Sequence, residues 1–257
     1  MSLFAKRIGN PQTKFPVIHV AGTNGKGSVC AMLDAVYREN GYKVGLFSSP
    51  HLVQLGERIR INGMLTEMEE ISSLTSELMP VAKEMESERA GMHPTFFEFM
   101  TAMAFRHFQR ENVDIAIVEV GLGGRLDASN VVIPEVSVIT SIGLDHCEIL
   151  GDTLEAVARE KAGIIKGGLP TVIGQLPPEA ESVIRSICQK RKSSLISVAE
   201  EFGNDVSTYP QTNLVGGCQR LNAATALAVA RVLESRFNLD EEISVSTLKD
   251  VYWPGRW

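Results

Sequence analysis

The chain has 257 residues, with 25 Lys and Arg against 31 Asp and Glu and a formal net charge of −6. Its 44% hydrophobic and 22% charged residues are those of a folded globular protein, which excludes a mainly disordered, collagen-like or low-complexity chain. No apolar run approaches the roughly 20 residues of a membrane helix, and an acidic balance argues against a nucleic-acid surface. Apolar, β-branched runs then alternate with helical patterns, the signature of an α/β fold: a mostly parallel sheet with helices on both faces. A strand is expected at Val17–Ala21, followed by a glycine-rich loop, a helix over 27–39 and a strand at Lys43–Phe47. Residues 50–64, with Pro50, Gly56 and Gly63 among charges, read as a long ordered loop with a function. A polar helix follows over 66–89, where Thr66 and Glu69 are spaced as a capping box, and a second helix over 95–110. Val113–Val120 contains Ile115-Ala116-Ile117-Val118, apolar on both faces as a central parallel strand must be. Strands at Val136–Ser141, Thr171–Gly174 and Leu195–Val198 alternate with helices over 153–165, 178–191 and 219–236. Residues 1–242 read as one domain, and Ile243–Trp257 as its junction to something further on.

The first ten residues carry Lys6 and Arg7 with no apolar stretch behind them, so no secretion signal is expected. Four cysteines, at 30, 147, 188 and 218, are too scattered for structural zinc and too few for a disulfide framework. A reduced, cytoplasmic chain is expected.

Val17-Ile18-His19-Val20 runs into Ala21-Gly22-Thr23-Asn24-Gly25-Lys26-Gly27-Ser28, and a helical pattern follows. In such a unit, backbone N–H groups turn inward on phosphate oxygens, and the helix N-terminus adds partial positive charge. Lys26 is placed to bridge the outer phosphates, and Ser28 to ligate or position Mg²⁺. The strict pattern G-x-x-x-x-G-K-[ST] is not met. Val20 stands at the first glycine position, and Gly27 intrudes between Lys26 and Ser28.

Ser49, Glu119 and His146 also follow the carboxyl ends of expected strands, where an open parallel sheet forms its ligand crevice. Glu119 reads either as a metal ligand or as a salt-bridged rim residue. His146 alone reads as a loop histidine, because Mg²⁺ prefers oxygen. Lys161 alone reads as a solvated helical lysine, Asn222 as a helix-opening residue, and Arg125 with Asp127 as a loop-fixing ion pair. The aromatics of Thr95-Phe96-Phe97-Glu98-Phe99 read as core, and His19, His93 and His107 as structural.

The spelling GTNGKGS resembles the variant phosphate loop of the Mur ligase superfamily of ATP-dependent, amide-forming ligases. Ser48-Ser49-Pro50-His51-Leu52 and Glu57-Arg58-Ile59-Arg60-Ile61-Asn62-Gly63 resemble the folylpolyglutamate synthase and dihydrofolate synthase family within it. So do Glu119-Val120-Gly121-Leu122-Gly123-Gly124-Arg125-Leu126-Asp127-Ala128-Ser129-Asn130, Gly143-Leu144-Asp145-His146, Arg159-Glu160-Lys161-Ala162-Gly163-Ile164 and Asn222-Ala223-Ala224-Thr225-Ala226-Leu227. The motifs follow the family's order across nearly the whole chain.

The resemblance implies that residues 22–28 (Gly22, Thr23, Asn24, Gly25, Lys26, Gly27, Ser28), Asn222 and Arg256 contact ATP, and that Ser49, Glu119 and His146 hold Mg²⁺. It implies that Lys161 is carbamylated and organises a second Mg²⁺. Thr95 and Phe97 would line a pterin pocket, and the loop carrying Arg125 and Asp127 would approach the folate. The implied activity transfers the γ-phosphoryl of ATP to a dihydropteroate or folyl-glutamate carboxylate, and the acyl phosphate then accepts the L-glutamate amine. The spelling of residues 125–130 looks like bacterial bifunctional members, which gives dihydrofolate synthase activity weight. The family also has a second, C-terminal domain beyond the position of Arg256, so the competing expectation is an inactive ATP- or folate-binding module. A monomer is expected, with small molecules rather than nucleic acid or membrane as partners. A generic P-loop kinase or GTPase is disfavoured by the Gly27 insertion and by the lack of an N-K-x-D-like signature.

Overall fold

The structure, a computed structural model, describes residues 1–203 and 205–255. Its sheet has the order β4-β3-β2-β5-β1-β6-β7-β8. The strands are β1 (Val17–Ala21), β2 (Val44–Phe47), β3 (Ile59–Ile61), β4 (Met64–Leu65), β5 (Ile115–Glu119), β6 (Val136–Ile139), β7 (Thr171–Ile173) and β8 (Leu195–Ser197). All six strands expected from the sequence form, and they pair in parallel.

The difference lies in residues 50–64. Instead of a loop throughout, they contain a 3₁₀ turn at Leu55–Arg58, and β3 there pairs antiparallel with β2 and, through a hairpin, with β4. Asn62 (φ 50°) and Gly63 (φ 77°) both lie in the left-handed region. That is the two-residue hairpin turn which an Asn-Gly pair favours, and it was the available sequence signal. The expected capping box at Thr66 and Glu69 does not form either. Thr66 Oγ1 donates to Ile59 O at 2.8 Å and helps close the hairpin, while Glu67 becomes the N-cap of the next helix without a side-chain bond.

The helices are α1 (Ser2–Arg7), α2 (Lys26–Glu39), α3 (Met68–Glu88), α4 (Phe96–Glu111), α5 (Cys147–Leu150), α6 (Leu154–Lys161), α7 (Pro178–Arg191), α8 (Val198–Phe202), α9 (Gln219–Phe237) and α10 (Glu241–Thr247). Alternation along the strands sorts them into layers. Ile18, Val20, Ile117 and Val138 face α2 and α9. Val17, Ala116 and Val118 face α3 and α4, and Ile139 and Ile173 on that same face meet α6 and α7. Ser244, Thr247, Leu248 and Val251 are buried, so the segment read as a junction packs into the core through residue 251. Among the described residues no helix is long and apolar enough to cross a membrane.

Candidate active site at the carboxyl edge of the sheet

β1 delivers the loop 22–25 onto the N-terminus of α2. Gly25 caps that helix with φ 84°, and a Cβ there would stand 2.3 Å from Asn222 Oδ1, so this close turn needs glycine. Asn222, buried in the first turn of α9, is thereby held against the phosphate loop, and its Nδ2 donates to Gln219 Oε1 at 2.9 Å. The loop is also tied to the end of β6. Thr23 N–H donates to Ser141 O at 2.8 Å, Thr23 Oγ1 to Gly143 O at 3.1 Å, and Thr140 Oγ1 to Asn24 O at 2.6 Å. Sequence reasoning did not single out Thr140 and Ser141, which, together with Gly143 of the 143–146 motif, shape the loop from outside its own motif.

Two amines meet at one carbonyl. Lys26 Nζ donates to Gly22 O at 2.9 Å and Thr23 O at 3.2 Å, and Lys161 Nζ reaches the same Gly22 O at 3.0 Å. Lys161 ends α6 and is only 4% exposed, which overturns the reading of a solvated helical lysine. Burial, and then the neighbouring Lys26 charge, pull its pKa down to about 8, against the opposing pull of Asp145.

Beside the loop, Gly27, Ser48, Ser49, Pro50, Arg60, Glu119 and Trp253 line a cleft of about 130 Å³. Glu119 is buried at the end of β5 and its Oε2 accepts from Ser49 N–H at 3.1 Å. Ser28 is buried at the head of α2. His146 is not in this cleft's lining. It sits on an exposed turn with φ 49°, its Nε2 3.7 Å from Asp145 Oδ2. Arg256 lies outside the described residues.

A wider cleft of about 650 Å³ is lined by Thr95, Phe97, Leu122, Arg125, Asp127, Ile149 and Glu160, among others. Thr95 is the N-cap of α4, with Glu98 answering it in a capping box, and Phe97 packs on Phe47 at 5.7 Å between centroids. Arg125 and Asp127 do not pair with each other. Arg125 binds Glu160 (Nη2–Oε1 3.0 Å), and Asp127 Oδ2 accepts from Gly121 and Leu122 N–H, both at 3.0 Å.

The Mur ligase middle domain matches residues 20–213. The dihydrofolate synthase/folylpolyglutamate synthase of Bacillus subtilis is 39% identical over 277 aligned positions, which take in all of this chain and 64% of that protein. A folylpolyglutamate synthase solved as an AMPPCP–folate complex superposes with a TM-score of 0.91 at 32% identity, over 99% of this chain and 67% of that one. The Mycobacterium tuberculosis folylpolyglutamate synthase complexed with ADP gives 0.89 at 33% identity, over 99% and 62%. The chain belongs to the folylpolyglutamate synthase and dihydrofolate synthase family of Mur ligases. It spans about two thirds of the length of these relatives.

In this family member a buried relay holds the wider cleft's loop. Ser129 Oγ donates to Asp127 Oδ1, so at 2.8 Å it must accept from His19 Nε2–H. His19, fully buried on β1, is held neutral: burial first, then the Lys166 charge, lowers its pKa to about 3. The unfolded chain takes up this proton below about pH 6.5, whereas the native state does not until about pH 3, so this contribution is complete above pH 6.5 and declines as pH falls. His19→Gln keeps an N–H donor without titrating. The native protein should lose about 3 kcal/mol relative to that variant between pH 6.5 and 4, at ~1.4 kcal/mol per unit. Urea unfolding at several pH values checks this, and a pH-independent difference would mean that His19 is charged in the fold.

Proposed function

We propose that this chain is the nucleotide- and folate-binding part of an ATP-dependent ligase that joins L-glutamate to a dihydropteroate or folyl-glutamate carboxylate. The observation that carries the reading is the convergence of Lys26 and Lys161 on Gly22 O, at the mouth of a strand–loop–helix phosphate cradle. A carboxylate resists amine attack because oxide is a poor leaving group, so it must first be activated. The loop's N–H groups and the head of α2 receive the ATP phosphates, and Lys26 moves from loop carbonyls to phosphoryl oxygens as charge develops there. Lys161 adds a second charge-bearing group at the same place. The cleft of about 650 Å³ is of the size that takes a pterin, with Phe97 as an apolar wall and the Asp127-fixed loop as its rim.

The donor set beside the loop suits Mg²⁺, since Ser28, Ser49 and Glu119 offer hard oxygens within or beside one cleft. These residues would hold the ion, together with His146 and a carbamylated Lys161. When bound, Mg²⁺ neutralises charge on the transferring phosphoryl group. The chain's own part is to keep Glu119 buried and oriented by Ser49 N–H.

Glu119→Gln tests this assignment, because glutamine preserves shape and removes the anionic ligand. Calorimetry should give about tenfold or greater weakening of ATP binding with Mg²⁺ and less than about twofold without it. Equal losses would make Glu119 structural. Glutamate-dependent phosphate release with ATP and dihydropteroate tests the reaction itself.

A further inference from the structure

Gly27 is, with Val20, one of two departures from the strict phosphate-loop pattern, and the one that inserts a residue between Lys26 and Ser28. Its backbone does not need glycine, because it lies within α2 rather than in the left-handed region. What it needs is space. A Cβ on Gly27 would stand 3.3 Å from both Cζ2 and Nε1 of Trp253, tighter than ordinary contact. Trp253 therefore rests on the turn between Lys26 and Ser28. Its indole is held from a second side by the Arg60 guanidinium, 4.8 Å from the ring centroid, and Arg60 is itself 7% exposed with Nε donating to Glu57 O at 3.2 Å. Two residues earlier the backbone is fastened as well. Val251 is buried, and its N–H and C=O are both taken by the Asn213 side chain, at 2.9 and 3.0 Å.

We propose that Trp253 is a positioning residue for the phosphate loop, and that the Gly27–Trp253 contact couples loop occupancy to the segment 251–255. The inference rests on the nucleotide reading given above. A backbone that tightens round phosphate at residues 25–28 must move against, or be braced by, the ring lying on Gly27. Arg60 supplies the fixed side of the clamp, since cation–π attraction strengthens where the pair is desolvated. Asn213 keeps the segment from drifting away when the loop shifts. The extra glycine and the tryptophan are thus one device, in which the missing side chain at 27 makes room for the ring.

The chain has two tryptophans, so Trp257→Phe leaves Trp253 alone to report. In that background, Mg-ATP should change tryptophan emission along a saturation curve whose midpoint matches calorimetric binding. A calorimetric isotherm with unchanged emission would overturn the coupling and leave the nucleotide reading intact. No isotherm at all would remove the nucleotide reading, and the coupling with it. Gly27→Ala and Trp253→Phe should each weaken Mg-ATP binding by roughly 3- to 10-fold, and the double variant should lose far less than the product, because Phe leaves room for the added methyl. Losses that multiply would show that the two residues act independently. Should the Phe variant fail to fold, the emission experiment decides by itself, since it leaves Trp253 in place.

Discussion

On the ligase reading proposed above, Lys26→Ala should reduce turnover by at least about 100-fold and leave the protein folded, because removing one preorganised donor from developing oxyanionic charge costs on that order. The side chain is half-buried, belongs to none of the apolar clusters, and spends its hydrogen bonds on two carbonyls of its own loop. Its loss therefore leaves a small polar gap rather than a core cavity. Nucleotide affinity should fall too, by about tenfold, through the missing contact to the outer phosphates. Circular dichroism and calorimetry on the 257-residue chain separate folding from binding. An unchanged ATP affinity in a folded variant would take the phosphate-binding role away from this lysine.

The second large effect is expected at Lys161. At its ordinary value a lysine is about 0.1% neutral at pH 7.5, whereas at about 8 it is about one quarter neutral. Burial and the Lys26 charge thus raise the share of nucleophilic amine some two-hundredfold. On the carbamylated reading proposed above, this neutral amine, one proton already lost from the ammonium, would attack the carbon of CO₂: an N–C bond would form, a C=O π pair would move onto oxygen, and a second proton would leave the nitrogen, so that a cation would become an anionic oxygen donor. Carbamylation should accordingly increase as pH rises through about 8 and disappear at acid pH. Incubation with ¹³C-bicarbonate should give a carbamate resonance in the parent and none in Lys161→Ala. On the same ligase reading, that variant should also lose about 100-fold or more in glutamate-dependent phosphate release, and Lys161→Arg should fare no better. Neither a resonance in the parent nor a loss of rate in the variants would leave Lys161 as a buried structural lysine.

The sequence made the middle of the sheet legible because burial there is two-sided. Ile115-Ala116-Ile117-Val118 needs apolar residues facing both layers, and only a central strand does. The hairpin β3–β4 was harder to see, since strands of three and two residues carry almost no periodicity and Arg60 interrupts the pattern while being buried. Thr66 and Glu69 have cap spacing, but the threonine hydroxyl finds a strand carbonyl instead, a tertiary partner that no local rule sees. Lys161 shows the same limit in the site. Its helix looks amphipathic and solvated, whereas in the fold its amine reaches Gly22 O of the phosphate loop at 3.0 Å and the 121–125 loop packs on its backbone, where a Cβ on Gly124 would come within 2.7 Å of Lys161 O. The phosphate loop itself could be read because its chemistry is local. Arg125 and Asp127 were misread as a pair because their partners, Glu160 and the N–H groups of Gly121 and Leu122, become visible only once the loop is folded.

The place of β1 in the sheet has a consequence for how the molecule is made. Val17 registers with Ala116 and Ile18 with Val136, so both neighbours of this strand come from about a hundred residues further along the chain. At roughly 5–20 residues per second, a ribosome leaves Val17–Ala21 without its ladder for about 5 to 20 s after it has been synthesised. An unpaired apolar strand is a template for other chains throughout that interval. The strand that aims the phosphate loop is synthesised early and seated late, after both of the strands that flank it.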